Sequence, residues 1–340
     1  MILALVRLPW QSYLVKSVLL KIVIPWLITA FALYYALKDI EWVSFFEHVR
    51  SANISWIALA VFLTFLSYIL RSQRWTILFP KKLLDFFSSA RVLIIGFFMN
   101  NVLPARTGEL VRTHLGSKVT GESRALVLAT IASERLLDGL TLSLFFVFFS
   151  LHAGEEKFSQ GLLYVALAFI VATICVLVAL AFRTKLLSLA KKAGLLDRKG
   201  VSGYATRKAI SFMAGLRPLL SFPQIIWILL SSVIIWSVEL LVYVSISNAY
   251  GASLSLPNAV LFMVTVNFSS LIPSAPGGIG VIEAAGKTVL TSIGLKPELA
   301  IALVLTQHVI QYIVVGIPGA LAVLTWKGRI REEDSLVSNA

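Results

Sequence analysis

The 340-residue sequence has little charge and almost no cysteine. Charged residues make up 14% of the chain, whereas an average soluble domain has about a quarter. Cys175 is the single cysteine, which excludes an intrachain disulfide and a metal cluster built from several thiolates. The four histidines do not form H-E-x-x-H, and no G-x-S-x-G occurs. The sequence therefore lacks the common signatures of a hydrolytic site.

What the sequence does contain is apolar surface. Hydrophobic residues make up 58% of the chain and the mean hydropathy is +0.87, which predicts a polytopic membrane protein. The formal charge of +13 does not indicate nucleic-acid binding, because the basic residues lie between apolar segments, where they set membrane orientation. The apolar stretch at residues 2–6 is too short for a cleaved signal, although Ala30 and Ala32 leave cleavage as an alternative.

The chain contains two kinds of apolar segment. Two stretches, 86–117 and 257–293, are interrupted by polar or turn-forming residues at 100–106 and 273–280, and each predicts a hairpin that enters and leaves the membrane on one side. We therefore expect an all-α polytopic membrane protein with about six full transmembrane helices and two re-entrant helical hairpins. The stretches with the roughly 20 residues that a span needs are 18–37, 54–73, 124–149, 160–182, 224–248 and 298–325.

The basic residues predict the orientation. With both hairpins re-entrant, one side of the membrane carries 24 of the 30 Lys and Arg residues, and the positive-inside rule makes that side cytoplasmic. Both termini are then cytoplasmic. The basic loop 183–217 and the segment RSQRW at 71–75 are interpreted as attracting anionic lipid at the inner surface, with Trp75 as an interfacial anchor.

The interrupted segments resemble each other. GFFMNNVLPARTGE (96–109) and TVNFSSLIPSAPGGIGVIE (265–283) share aromatic, Asn, Leu, Pro, Gly and Glu residues in the same order. The chain is then one integral membrane domain, 1–340, in which 54–149 and 224–325 each contain a span, a hairpin and a span of opposite orientation. Inverted repeats with broken helices near the midplane are typical of transporters.

Polar residues concentrate at both breaks and in ASERLLDG, residues 132–139. Irregular backbone inside a bilayer requires a polar surrounding, and charges at a helix centre cost roughly 2.5 to 3.5 kcal/mol each unless paired or hydrated. The arginines suit a phosphate, and the glycines of the second break suit an anion-binding nest. The predicted translocation path comprises Asn100, Asn101, Arg106, Glu109, Arg112, Glu134, Arg135, Asp138, Glu239, Asn267, Ser274, Gly277, Gly278, Gly280, Glu283, Gln307 and Gln311.

Each element also has a purely structural interpretation. Arg106, Glu109 and Arg112 would form an ion pair at a helix end, and 273–280 a tight turn with small-residue packing. Glu134, Arg135 and Asp138 would form a structural ion-pair network. No catalytic residue, metal or cofactor is predicted.

The motifs RSQRW, GFFMNNVLPARTGELVR, SERLLDG and NFSSLIPSAPGGIGVIE occur in this order. They resemble the lysylphosphatidylglycerol synthase transmembrane region, also called the flippase-like or UPF0104 family, over roughly residues 15–325. In those synthases this region is linked to lipid movement, while a separate soluble domain transfers lysine from charged tRNA. We expect no such domain before Ala340, so the resemblance implies lipid translocation without synthesis.

The expected function is thus a lipid flippase for a phospholipid or a polyprenyl-phosphate-linked sugar, most simply in a prokaryotic cytoplasmic membrane. Its partners would be lipids with an anionic or zwitterionic headgroup and no nucleic acid. Two alternatives stay open. One is a membrane-embedded transferase with Glu109 or Glu283 as general base, and the other is a non-transporting partner of a glycosyltransferase or lipid-modifying enzyme.

Overall fold

The computed structural model describes residues 9–79, 83–103, 107–152, 160–182 and 201–326, together with residues 185, 188 and 192. These residues form helices and contain no strand, which confirms the all-α prediction for the described part of the chain. The α-helices are α1 (Pro9–Leu37), α2 (Trp42–Ser51), α3 (Ile54–Ile77), α4 (Phe86–Val102), α5 (Gly108–Thr120), α6 (Arg124–His152), α7 (Gln160–Ala181), α8 (Val201–Gly215), α9 (Phe222–Ala249), α10 (Leu256–Ser269), α11 (Val281–Ser292) and α12 (Pro297–Leu324).

Four helices are long and apolar enough to cross a membrane: α3, α9, α12 and the Gln160–Val178 part of α7. The pair Val23–Leu37 and Trp42–Ser51, bent by 84°, would make a fifth crossing. The predicted span 124–149 coincides with α6, a helix of 29 residues. Each of the six predicted spans is therefore covered by a helix, and their number as membrane crossings stays a prediction.

The surface and the interior have the polarity expected of a membrane protein. Large apolar side chains are exposed on the long helices, among them Phe31 at 73%, Phe62 at 60% and Tyr164 at 68%. Charged side chains are buried instead, including Arg74 and Glu134, each at 0% exposure. An apolar exterior around a polar interior fits a hydrocarbon solvent.

The first predicted hairpin consists of α4 and α5, separated by residues 103–107. Asp85 begins α4 by accepting the Ser88 backbone N–H at 2.9 Å, as an N-cap carboxylate does. The two helices pack so closely that a Cβ at Gly108 would lie 2.1 Å from the Gly96 carbonyl oxygen. Glycine is therefore required at this crossing.

The second predicted hairpin consists of α10 and α11, separated by residues 270–280. Gly277, Gly278 and Gly280 have φ values of 73°, 82° and 87°, a left-handed conformation that favours glycine. Both breaks lie close to the predicted interruptions, 100–106 and 273–280. Whether the hairpins are re-entrant in a membrane stays a prediction.

The helices α3 and α9 pack against each other in antiparallel orientation. The Asn53 backbone N–H, at the start of α3, donates to the Ala249 carbonyl at the end of α9, at 2.8 Å. Arg71 and Glu239 lie equally far along their helices, counted from the first residues Ile54 of α3 and Phe222 of α9. Equivalent positions of the two helices therefore meet near the middle of the molecule.

The structure describes part of the predicted basic loop 183–217. Within it, residues 201–215 form helix α8, while most of 183–200 lies outside the described residues. Gly215 packs on α6, where a Cβ would lie 2.4 Å from the Leu126 carbonyl oxygen, and the adjacent Leu216 is buried. Apolar residues thus anchor this segment to the helices, whereas the prediction for it used only its basic residues.

Candidate functional site

A cavity of about 350 Å³ lies where the two breaks face each other, between α3, α6, α9 and α12. It brings together twelve of the seventeen predicted residues: Asn100, Asn101, Glu109, Arg135, Asp138, Glu239, Asn267, Ser274, Gly277, Gly278, Gln307 and Gln311. Arg112, Glu134, Gly280 and Glu283 do not line the cavity, and Arg106 lies outside the described residues.

Asp138 is the centre of the charged wall of this cavity. Its carboxylate contacts Arg74 Nη1 at 2.7 Å and Arg71 Nη1 at 3.3 Å, with Arg135 Nη1 farther away at 3.8 Å. The Trp236 indole N–H donates to the same carboxylate at 3.1 Å. A buried carboxylate needs such partners, because an unpaired charge at this depth is costly.

Arg71 links this cluster to α9. Its Nη2 lies 3.3 Å from Glu239 Oε1, and its guanidinium carbon lies 4.8 Å from the centre of the Trp236 ring. The Ser67 hydroxyl donates to the same Glu239 oxygen at 2.6 Å. Residues of the antiparallel helices α3 and α9 thus form one side of the cavity.

Arg112 and Glu134 form a second, fully enclosed pair behind the wall. Arg112 Nη1 and Nη2 donate to the two carboxylate oxygens of Glu134 at 2.9 and 2.7 Å. The Arg112 guanidinium also stacks 3.9 Å from the centre of the Trp75 ring. This bidentate, stacked geometry fastens α5 to α6, so the described contacts of Arg112 are all internal.

Arg135 and Glu109 are the charged pair that is open to the cavity. Arg135 Nε lies 3.0 Å from Glu109 Oε1, and each side chain is 32% exposed. Arg135 also contacts Glu134 at 3.3 Å, so all these pairs form one network. Four arginines (Arg71, Arg74, Arg112 and Arg135) balance four carboxylates (Glu109, Glu134, Asp138 and Glu239), and the network has no net formal charge.

A different contact closes the second hairpin. His308 Nδ1 lies 2.5 Å from Glu283 Oε1, and its Nε2 lies 3.1 Å from the Gly277 carbonyl oxygen. The other Glu283 oxygen accepts the Gly280 backbone N–H at 2.6 Å. The Gly280 N–H is thus occupied by the chain's own carboxylate, and it is not available to the anion-binding nest predicted for this loop.

The pairs at the two hairpins occupy equivalent positions. Glu109 and Glu283 lie in the first turns of α5 and α11. Arg135 and His308 lie equally far along α6 and α12, counted from the first residue of each helix. In each half, a first-turn glutamate of the second hairpin helix contacts a basic residue of the following long helix.

Several polar atoms at the cavity have no hydrogen-bond partner among the described residues. They are Asn100 Oδ1, Asn101 Nδ2 and Gln307 Oε1, and all three are buried. Buried polar groups normally have partners, and each of these three residues also lines the cavity. The described residues contain no cluster of His, Cys, Asp and Glu that could hold a metal ion.

Part of this site is not predicted from the sequence. RSQRW was assigned to the membrane surface, but Arg71 and Arg74 are 6% and 0% exposed and pair with Asp138, while Trp75 is 0% exposed. His308 is not among the predicted site residues, although it contacts Glu283. Two arginines one turn apart at the end of an apolar stretch could have indicated a buried role. The acidic partners of Arg71, however, are 67 and 168 positions away in the sequence.

Comparisons with known proteins agree with the motifs. The family model for the lysylphosphatidylglycerol synthase TM region matches residues 18–319. A UPF0104 membrane protein of Methanothermobacter thermautotrophicus is 22% identical over 307 residues, 84% of this chain and 90% of that protein. A UPF0104 membrane protein of Pyrococcus horikoshii is 23% identical over 293 residues, which are 80% of this chain and 88% of that protein. A UPF0104 membrane protein of Methanocaldococcus jannaschii is 24% identical over 333 residues, which are 93% of this chain and 96% of that protein. No solved structure matches the chain.

Proposed function

Because the chain belongs to the lysylphosphatidylglycerol synthase TM region family, we propose that this integral multi-pass membrane protein moves a lipid with a phosphate-containing headgroup between the two leaflets of its membrane. The observation that carries the proposal is the polar cavity of about 350 Å³ between the two helix breaks. A charged headgroup crosses roughly 30 Å of hydrocarbon only along such a polar surface, since lipid offers its charge no partner.

The proposed mechanism rests on two inverted repeats, 54–149 and 224–325. The antiparallel contact of α3 with α9, the meeting of Arg71 with Glu239, and the equivalent pairs at the two hairpins support this repeat. The proposed axis passes close to the Arg71 and Glu239 contact. Rocking of one repeat against the other exposes a central site to each side in turn.

The headgroup is proposed to bind at Arg135. Arg135 and Glu109 are the most exposed charged side chains of the network, and a phosphate offers the guanidinium the same bidentate geometry as a carboxylate. The phosphate replaces Glu109 as the partner of Arg135, and Asn101 donates to it through Nδ2, which lacks a partner among the described residues. Asn100 Oδ1 and Gln307 Oε1 only accept hydrogen bonds, so they suit a hydroxyl or ammonium group of the headgroup. The exchange involves Arg135 and Glu109 alone, so the pairs of Arg112 with Glu134 and of Arg71 and Arg74 with Asp138 stay in place.

The apolar chains of the lipid need a path outside the cavity. An apolar groove of about 410 Å³ lies between α3 and α12, which also line the cavity, and it is formed by Ala58, Val61, Phe62, Phe65, Ile313, Val314, Ile317 and Pro318. Several of these side chains are strongly exposed, such as Phe62 and Ile317 at 60% each. We propose that an acyl or prenyl chain lies in this groove while the headgroup occupies the cavity.

The experiment is a leaflet-exchange assay. The purified chain is reconstituted in vesicles of phosphatidylethanolamine and phosphatidylglycerol with a trace of fluorescent phospholipid, and outer-leaflet label is reduced chemically. Accelerated loss of the protected inner label supports the proposal, provided that the masses of the unlabelled lipids do not change. A covalent change in lipid mass would instead favour a transferase. Exchange equal to protein-free vesicles, for both phospholipid and polyprenyl-phosphate probes, would contradict the proposal.

A further inference from the structure

The contact between Glu283 and His308 requires a proton that ordinary charge states do not provide. His308 Nε2 lies 3.1 Å from the Gly277 carbonyl, and a carbonyl only accepts, so Nε2 carries a hydrogen. Nδ1 lies 2.5 Å from Glu283 Oε1. With neutral histidine and ionised glutamate, two acceptors would face each other at this distance. A second proton therefore lies between them, on the imidazole or on the carboxyl group.

We infer that Glu283 and His308 form a proton-binding site whose occupancy holds the second hairpin against α12. Both arrangements, imidazolium with carboxylate and imidazole with carboxylic acid, contain the same number of protons. Removal of one proton leaves a lone pair against a carboxylate and breaks the contact. The site takes H⁺ as its ligand, and its role in lipid movement rests on the proposed function above.

The proton controls the backbone of the second break. Glu283 also accepts the Gly280 N–H at 2.6 Å, and His308 also bonds the Gly277 carbonyl. Loss of the contact therefore uncouples the two ends of the turn 277–280, because His308 of α12 holds Gly277 and Glu283 of α11 holds Gly280. His308 lines the cavity, whereas Glu283 does not line it and is only 3% exposed. The proton consequently enters and leaves from the cavity side.

The other ionisable groups near this pair are engaged elsewhere. Lys287, one turn along α11, donates to the Ala36 carbonyl of α1 at 2.9 Å. The Tyr312 hydroxyl, on α12, donates to the Pro276 carbonyl at 3.3 Å, and its ring centre lies 4.9 Å from that of His308. Across the cavity, the ionisable side chains facing the pair from α3, α5, α6 and α9 are Tyr68, Arg71, Glu109, Arg135, Asp138, Glu239 and Tyr243. On the side of α1, the residue that contacts the loop is Thr29, whose hydroxyl accepts the Ala275 N–H and donates to the Ile279 carbonyl.

The equivalent pair in the first repeat lacks this property. Glu109 contacts Arg135, and an arginine side chain does not lose its proton in a protein. The pair at the first hairpin therefore does not depend on a proton near neutral pH, whereas the pair at the second hairpin does. This difference between otherwise equivalent positions gives the two hairpins different responses to pH.

The direct test is nitrogen NMR of the full chain in nanodiscs, with ¹⁵N-labelled histidine. The chain has four histidines, and the resonances that disappear in His308→Gln belong to His308. We expect Nε2 to stay protonated throughout the titration, and the shared proton to be lost in one step as the pH is raised. In Glu283→Gln that step disappears, because the amide N–H replaces the shared proton. A neutral Nδ1–H tautomer at neutral pH, or the same titration in Glu283→Gln, would overturn the inference.

A second measurement reports the break itself. Cys175→Ala removes the single cysteine, and Ser274→Cys places a thiol in the break. The labelling rate of this thiol is divided by the labelling rate of Thr288→Cys, at an exposed position of α11. We expect this ratio to rise about tenfold as the proton is lost, and to stay low in Glu283→Gln. A flat ratio in both backgrounds would overturn the inference.

The leaflet-exchange assay separates the two proposals. Exchange that is insensitive to a pH gradient, with the NMR result as expected, leaves the proton site and removes its coupling to transport. An absence of exchange with the same NMR result contradicts the proposed function alone.

Discussion

Arg71 of α3 and Glu239 of α9 contact each other at 3.3 Å from equivalent positions of two antiparallel helices. Arg71 also binds Asp138 of α6 at 3.3 Å, so the contact links α9 to both α3 and α6. It lies within the close packing of α3 against α9.

The first prediction concerns the strength of this contact. Arg71→Ala leaves Asp138 and Glu239 with fewer partners, and breaking a buried pair costs roughly 3 to 5 kcal/mol. Glu239→Gln is expected to cost less, because Arg71 retains Asp138. The free energies of unfolding of both variants and of the double variant, from denaturant titration in micelles, give the coupling. Additive losses would show that the two side chains do not interact.

The second prediction concerns the crossing of α4 and α5. In Gly108→Ala the new Cβ meets the Gly96 carbonyl backbone at 2.1 Å, which side-chain movement cannot relieve. We expect a loss of roughly 1 to 3 kcal/mol, as for other overpacked sites. Gly316→Ala in α12 is the matched control, since no described atom lies within 4 Å of its Cβ, and it should be neutral or slightly stabilising. Equal thermal stability of the two variants would contradict the packing described here.

The third prediction separates structural from lipid-contacting arginines. Arg112→Lys loses the bidentate bond to Glu134 and should cost roughly 1.5 to 3 kcal/mol, while folded protein exchanges lipid at nearly the normal rate. Arg135→Lys, whose side chain is partly exposed, should leave stability within about 1 kcal/mol and lower the exchange rate about tenfold. Thermal unfolding and leaflet exchange are measured on the same preparations. The reverse pattern would place the headgroup at Arg112.

The fourth prediction concerns the apolar groove between α3 and α12. Ala58→Trp fills the groove and should slow exchange several-fold without destabilising the fold. Leu59→Trp, at the neighbouring position that does not line the groove, is the control and should exchange normally. Equal rates in the two variants would exclude the groove as the path of the apolar chain.

The sequence predicted the helices and their interruptions because both depend on local composition. The break at 103–107 follows Asn100 and Asn101, and the break at 270–280 coincides with a run of proline and glycine. Prolines and glycines end helices by local geometry, so no tertiary information was needed. The cluster at Glu134, Arg135 and Asp138 was identified for the same reason, as charge inside an apolar helix.

The partners of these charges could not be predicted. Arg74 and Trp75 resemble interfacial residues in sequence, and only the packing of α3 against α6 and α9 shows that they are buried. Likewise, the short helix α2 and the packing of α8 depend on which apolar surfaces meet. Pairing between side chains as distant in the sequence as Arg71 and Glu239 leaves no local pattern that a single sequence displays.

The most direct test of the central claim, that the headgroup crosses through the cavity between the breaks, is reversible blockage of that cavity. In a Cys175→Ala background, Asn101→Cys places a thiol at the cavity, where a bulky methanethiosulfonate occupies it in protein that is already folded. Leu144→Cys, at a position 52% exposed on the surface of α6, is modified as the control. We predict that modification at 101 stops leaflet exchange, that reduction restores it, and that modification at 144 has no effect. Unchanged exchange after complete modification at 101, verified by mass spectrometry, would contradict the account.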